Sequence, residues 1–264
     1  MRGAAGGGGR LEGDSARGGA AGRAAGRPAR GGAPRTAAPF RVFVTGTDTG
    51  VGKTQVAAAL LSLLADAGLC PAPFKPYESG CARPWRPADA LALRAAARST
   101  DPLEAVCVHR FRAPLAPGVA AARMGRAPAF RPVLAAFRSF GDRPLVVEGA
   151  GGLLVPLDRR REVIDLIEAL VLPVVLVARA GLGTLNHTGL SLRLLESRGI
   201  PVRAVVLSRG SPVRDPSVED NAAWLAERHG VPVLGPVPYI EDAVRRRRAF
   251  RTVLRPLLDS PAAR

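Results

Sequence analysis

The sequence predicts one doubly wound α/β domain, a mainly parallel sheet flanked by helices, over residues 40 to 258. Three observations carry that prediction. Short β-branched runs alternate with amphipathic stretches long enough for three or four helical turns, the signature of βαβ units. A glycine-rich turn joins the first such run to the first such stretch. The composition, 47% hydrophobic over 264 residues, suffices for one sizeable core, while no apolar run approaches the roughly 20 residues that span a bilayer.

In order, RVFVT (41 to 45) is the first strand and residues 53 to 67 the first helix. A short apolar segment before FKPYESG (74 to 80) reads as the second strand, and DALAL opens a helix at Asp89. LVVE (145 to 148) is followed by a helix over about 162 to 170, and PVVLVA (173 to 178) by one over 184 to 198. VRAVVL (202 to 207) precedes a helix over 217 to 228, and VPVLG (231 to 235) is the last strand. The stretch from 113 to 132, rich in Pro, Ala and Arg, fits no period.

Residues 1 to 39 hold 12 Gly, 11 Ala and seven Arg. Such a segment buries too little apolar surface to offset its ordering entropy, so a disordered tail is expected there, and a short tail again over 259 to 264. A transit peptide is the functional alternative for the first of these, although one Ser and dense Gly suit an amphipathic targeting helix poorly. The three cysteines, Cys70, Cys81 and Cys107, have neither CxxC spacing nor clustered histidines, so a reducing, cytoplasmic setting is expected.

The formal charge of +16 raises nucleic acid or an anionic membrane as partners. The charge is diffuse, however, and 36 of the 38 basic residues are Arg. The two lysines, Lys53 and Lys75, are therefore the informative cations, because a compact, mobile ammonium is not interchangeable with a guanidinium.

Lys53 lies in TGTDTGVGKT, residues 45 to 54, between a strand and a helix. In that order, backbone N–H groups and the helix dipole converge on an anion, which makes Gly46, Thr47, Asp48, Thr49, Gly50, Val51 and Gly52 a phosphate cradle. Lys53 then reaches β- and γ-phosphates, and the Thr54 hydroxyl can ligate Mg²⁺. The loop departs from GxxxxGK[ST], with Thr47 where that pattern has Gly and Gly46 one residue earlier. Lys75 stands at the end of the second strand, near the sheet edge where ligands bind in such folds. Glu148 ends LVVE, and Asp89 opens a helix; with Thr54 they make a plausible Mg²⁺ set, since that ion takes one or two carboxylates plus substrate phosphates.

Taken together, TGTDTGVGKT, FKPYESG, DALAL, VEGAGG (147 to 152), GTLNHT (183 to 188) and GPVPY (235 to 239) resemble the dethiobiotin synthetase family in order and spacing, over about 41 to 257. The lengthened phosphate loop is the form that family uses. The resemblance implies a homodimeric P-loop enzyme that uses ATP, Mg²⁺ and CO₂ to close a cyclic urea on 7,8-diaminononanoate, through a carbamate and its mixed anhydride with phosphate. It implies Lys53, Lys75 and Ser79 as catalytic residues, with Thr54, Asp89 and Glu148 on the metal. Thr49, Lys75, Ser79, Gly151, Gly183, Thr184, Leu185 and Asn186 would meet the amine substrate, the last four across a dimer interface. Glu148, Ser208 and Pro238 would join the loop around the nucleotide.

Two positions depart from the family. Ser208 stands where an Asn commonly reads adenine, so looser nucleotide selectivity is expected, and Gly50 replaces a Glu found in some members. A partitioning or division-site switch ATPase that binds DNA or membrane is the rival reading, supported by the basic stretch VRRRRAFRTVLRPLLD (244 to 259). Such proteins carry an extra Lys early in the loop, and here none lies between Thr45 and Gly52. Larger amide-forming synthetases, which usually carry a glutaminase domain, form a third class.

Overall fold

The computed structural model describes residues 38–81 and 86–259. The expected tails therefore lie mostly outside the described residues, except that Asp259, expected to begin the second, closes the last helix.

The chain runs β1 (Arg41–Gly46), α1 (Lys53–Asp66), β2 (Ala72–Phe74), β3 (Tyr77–Glu78), α2 (Ala88–Ala96), α3 (Leu103–Val106) and β4 (His109–Arg110). It continues with α4 (Pro117–Arg123), α5 (Phe130–Ser139), β5 (Leu145–Glu148), α6 (Val163–Leu170), β6 (Val174–Arg179) and α7 (Thr184–Ser197). The last elements are β7 (Val202–Ser208), α8 (Val218–His229), β8 (Val233–Val237), α9 (Ala243–Leu254) and α10 (Pro256–Asp259). Six strands form one parallel sheet in the order β2-β5-β1-β6-β7-β8, and β3 pairs with β4 in a separate two-stranded ribbon.

The expected strands are all present, with β8 two residues later than the sequence suggested. The register explains the continuous apolar runs: all four residues of β5 and the first five of β6 are buried, as a sheet covered on both faces requires. On one face α1, α2 and α9 pack through Leu60, Leu64, Leu93, Phe250 and Leu254. On the other, α4 to α8 pack through Ala121, Val133, Ile164, Ile167, Leu195 and Leu225. The unreadable stretch from 113 to 132 becomes α4, which buries only Pro117, Ala120 and Ala121, and the start of α5, whose stripe of Phe130, Val133, Leu134 and Phe137 lies mostly beyond it.

The basic C-terminal stretch is resolved by packing. Phe250 and Leu254 are buried against α1 while Arg245, Arg247 and Arg248 are exposed, so these apolar side chains of α9 are spent on the core. Among the described residues no helix is long and apolar enough to cross a membrane.

The chain leaves central β1 toward β2 on one side and returns to β6 on the other. That reversal leaves a crevice beyond the C-terminal ends of the strands, where the phosphate loop follows β1, Lys75 follows β2, and Glu148 and Ser208 end β5 and β7.

Candidate active site

The phosphate loop owes its shape to Gly46 and Gly52. A Cβ on Gly46 would lie 2.8 Å from Val51 Cγ2 and 3.1 Å from the Asp48 carbonyl, so a side chain there would force the loop to shift off β1. This is the residue displaced from the usual spacing, and the close approach fixes its place. Gly52, at φ 103°, is the left-handed residue before α1 and provides no side-chain cap, so the first N–H groups of α1 face the crevice without a side-chain acceptor.

Lys53 folds back over this loop, its Nζ donating to the Asp48 carbonyl at 2.7 Å. Burial, with the Lys75 charge second, pushes the Lys53 ammonium down to about 8. A cation so placed is under-compensated and gains from an arriving anion.

Lys75 is buried with the opposite balance. Its Nζ donates to Glu148 Oε1 at 2.6 Å and to the Gly149 carbonyl at 3.0 Å, and lies 3.3 Å from Asp89 Oδ2. Burial alone would lower its pKa, but Glu148 and Asp89 together carry it above the ordinary lysine value. Burial pushes the Glu148 carboxyl up, against the pull of Lys75 and Thr54. The 2.6 Å contact, with Thr54 Oγ1 donating to the same oxygen at 2.8 Å, is that of a carboxylate and an ammonium.

Thr54, Asp89 and Glu148, expected to hold Mg²⁺, thus converge around one point. The second oxygen of Glu148 is buried without a hydrogen-bond partner. An orphaned carboxylate oxygen at the base of the crevice, beside a hydroxyl and a second carboxylate, fits a hard cation. Among the described residues there is no group of three or more His, Cys, Asp or Glu that could hold a metal ion, and the set here is two carboxylates and a hydroxyl.

These groups line a cleft of about 390 Å³ that contains Thr49, Gly50, Gly52, Lys53, Thr54, Lys75, Ser79, Asp89, Glu148 and Gly151 of the expected set. Val51 lies buried beneath the loop, and Thr47 and Asp48 face an adjoining cavity of about 520 Å³, walled by Leu153, Val155 and Leu190. Ser208 is buried, its Oγ 3.5 Å from where a Cβ on Gly52 would sit, and Pro238 follows β8 on the surface.

The segment 183 to 186 is not brought into this cleft. Thr184 turns inward, its hydroxyl 3.0 Å from that of Thr188 and its N–H bonded to the Gly181 carbonyl at 3.2 Å. Gly183, Leu185 and Asn186 are exposed, and the last two border a groove shared with Trp224. The phosphate loop meets α7 in the adjoining cavity through His187, Leu190, Ser191 and Leu194 instead.

Three features escaped the sequence reading. Pro114 to Pro117 wall the cleft, from the segment with no legible period. Arg179, at the end of β6, pairs with Asp48 of the loop at 2.9 Å. Glu78, one residue before Ser79, is a buried carboxylate in the cleft wall. Its place inside FKPYESG was the available signal, but nothing local shows what it touches.

A family described as AAA domain matches residues 41–247. The chain is 49% identical over 215 residues to a protein named ATP-dependent dethiobiotin synthetase BioD from Anaeromyxobacter dehalogenans (strain 2CP-C), covering 81% of this chain and 96% of that one. It is 35% identical over 205 residues to the protein of the same name from Bacillus subtilis (strain 168), covering 77% and 89%. Among solved structures, chloroplast FtsY from Physcomitrella patens aligns with a TM-score of 0.43 at 16% identity, covering 83% of this chain and 66% of that chain, a likeness too distant to bear on function.

Proposed function

Because the chain belongs to the dethiobiotin synthetase family, we propose that it carries out ATP- and Mg²⁺-dependent closure of a cyclic urea on 7,8-diaminononanoate with CO₂, a step of biotin biosynthesis. The observation that carries this reading is the convergence of Lys53, Lys75, Thr54, Asp89 and Glu148 in one cleft at the C-terminal edge of the sheet.

The chemistry asks for what the cleft supplies. Phosphoryl transfer to a carbamate needs positive charge around the equatorial oxygens and in-line placement, and no covalent nucleophile. Lys53, under-compensated when the cleft is empty of anion, receives the phosphates together with the N–H groups at the start of α1. Lys75, kept charged by Glu148, faces the carbamate and the transferring phosphoryl from the other side, with Ser79 beside it. Thr54, Asp89 and Glu148 would hold Mg²⁺, which would neutralise phosphate charge. Thr49 lies between the cleft and the adjoining cavity, against the carbamate.

That adjoining cavity has apolar walls of Leu153, Val155 and Leu190, suited to a methylene chain. The exposed start of α7 then meets the substrate carboxylate of the second protomer in a homodimer, and exposed Leu182, at 89%, and Leu190, at 62%, are apolar surface of the kind such a contact covers. Ser208 and Pro238 border the nucleotide base. The protein works in the cytoplasm on these small molecules. The switch-ATPase alternative loses its main support through the inward packing of Phe250 and Leu254.

The deciding experiment is incubation with diaminononanoate, bicarbonate, Mg²⁺ and ATP, followed by mass detection of dethiobiotin. Product is expected; its absence while nucleotide hydrolysis persists overturns the assignment.

A further inference from the structure

Glu78 is 5% exposed, on a two-residue strand at the rim of the cleft. Both of its oxygens are used on backbone: Oε1 accepts the Asp89 N–H at 3.0 Å, and Oε2 the Ala90 N–H at 2.9 Å. These are the second and third residues of α2, whose own cap position, Pro87, offers no side-chain hydrogen bond. A carboxylate from the β3–β4 ribbon thus does for α2 what a capping Asp does from within a helix, and its charge complements the positive end of the dipole.

The consequence falls on Asp89. Its side chain is 41% exposed and contacts Lys75 at 3.3 Å, so the side chain alone is weakly constrained. The backbone at Asp89, in contrast, is clamped by Glu78 and by the helix. We propose that Glu78 is a positioning residue that holds Asp89 toward the cation site shared with Glu148 and Thr54. This rests on the reading of Asp89 as a cation ligand. Each Glu78 oxygen accepts one of the two N–H groups, so it acts on Asp89 through the α2 backbone.

Removing a group that orients a cation ligand in this way is expected to change cation affinity by about 10- to 100-fold. The test is Mn²⁺ binding, followed by electron paramagnetic resonance on the full chain saturated with a non-hydrolysable ATP analogue, so that no turnover and no amine substrate are involved. Glu78→Gln, which keeps the shape and one acceptor, should weaken Mn²⁺ binding about tenfold, and Glu78→Ala more. In an Asp89→Asn background, Glu78→Gln should change affinity by less than about twofold, because the two act as one unit.

Wild-type Mn²⁺ affinity in Glu78→Gln overturns the proposal, as does a Glu78→Gln effect of full size in the Asp89→Asn background, the mark of a merely structural cap. If Glu78→Ala does not fold, the isosteric Gln variant decides. Should Asp89→Asn bind Mn²⁺ like wild type, the proposal falls with the ligand reading of Asp89, while dethiobiotin formation remains an independent result.

Discussion

Lys75 Nζ and Glu148 Oε1 lie 2.6 Å apart with both side chains at or below 5% exposure, at the ends of strands that are neighbours in the sheet and 73 residues apart in the chain. A buried ion pair of this kind is a poor source of net stability but costly to break on one side, because the remaining charge is left uncompensated. Glu148→Gln is therefore expected to lower stability by about 3–5 kcal/mol, and adding Lys75→Met to restore much of it. Denaturant unfolding of the single and double variants checks this. Neither variant should form dethiobiotin, which separates folding from chemistry.

The same pocket makes Lys75 intolerant of a larger cation. Its ammonium is fitted among Glu148 Oε1, the Gly149 carbonyl and Asp89, and a planar guanidinium cannot place one donor toward each. Lys75→Arg and Lys53→Arg, both charge-preserving, should each lower kcat by a factor on the order of 100 or more. Steady-state kinetics decides, and near-full turnover in either variant would show that positive charge alone suffices.

Lys53 gives the binding of nucleotide a pH dependence. With its ammonium pushed down to about 8 by burial and by Lys75, it is largely charged below that pH and largely neutral above it. Triphosphate favours the charged form, so metal-free ATP binding should weaken as pH rises through about 8 and should take up a proton there. Titration calorimetry in buffers of different ionisation heat measures the uptake, which Lys53→Met should abolish. The ligand-free protein has the reverse sign. The unfolded chain holds the Lys53 proton more tightly, so this group's contribution to stability rises above pH 8.

Ser208 should leave the nucleotide base loosely read. It offers one hydroxyl at the end of β7, and a site with fewer hydrogen-bonding groups rejects analogues less strongly. ATP, CTP and GTP should support turnover with kcat/KM values well within about a hundredfold of each other, and Ser208→Asn should widen the gap in favour of ATP. A wild-type preference for ATP beyond that range would sink the idea.

What the sequence determined by itself is what short-range patterns encode. Runs such as VVLVA and VFVT state buried parallel strands through continuous apolar character, and they appear as β6 and β1. The glycine and lysine spacing of TGTDTGVGKT states the phosphate loop because strand, turn and helix N-terminus are contiguous. The scarcity of lysine singled out Lys53 and Lys75, and both line the cleft.

Only the tertiary structure decided which distant residues share a contact. Nothing near Glu78 in sequence marks it as the cap of a helix that begins ten residues later, and Arg179 and Asp48 pair across 131 positions. The wall from Pro114 to Pro117 has no period to read because a cleft wall is shaped by what packs behind it. The start of α7, expected to act across a dimer interface, lies outside the cleft of its own chain, and Leu185 and Asn186 border a separate groove. Local sequence fixes φ, ψ and apolar period over a few residues. Which charges face one another depends on strand order, and that is set by the packing of the whole sheet.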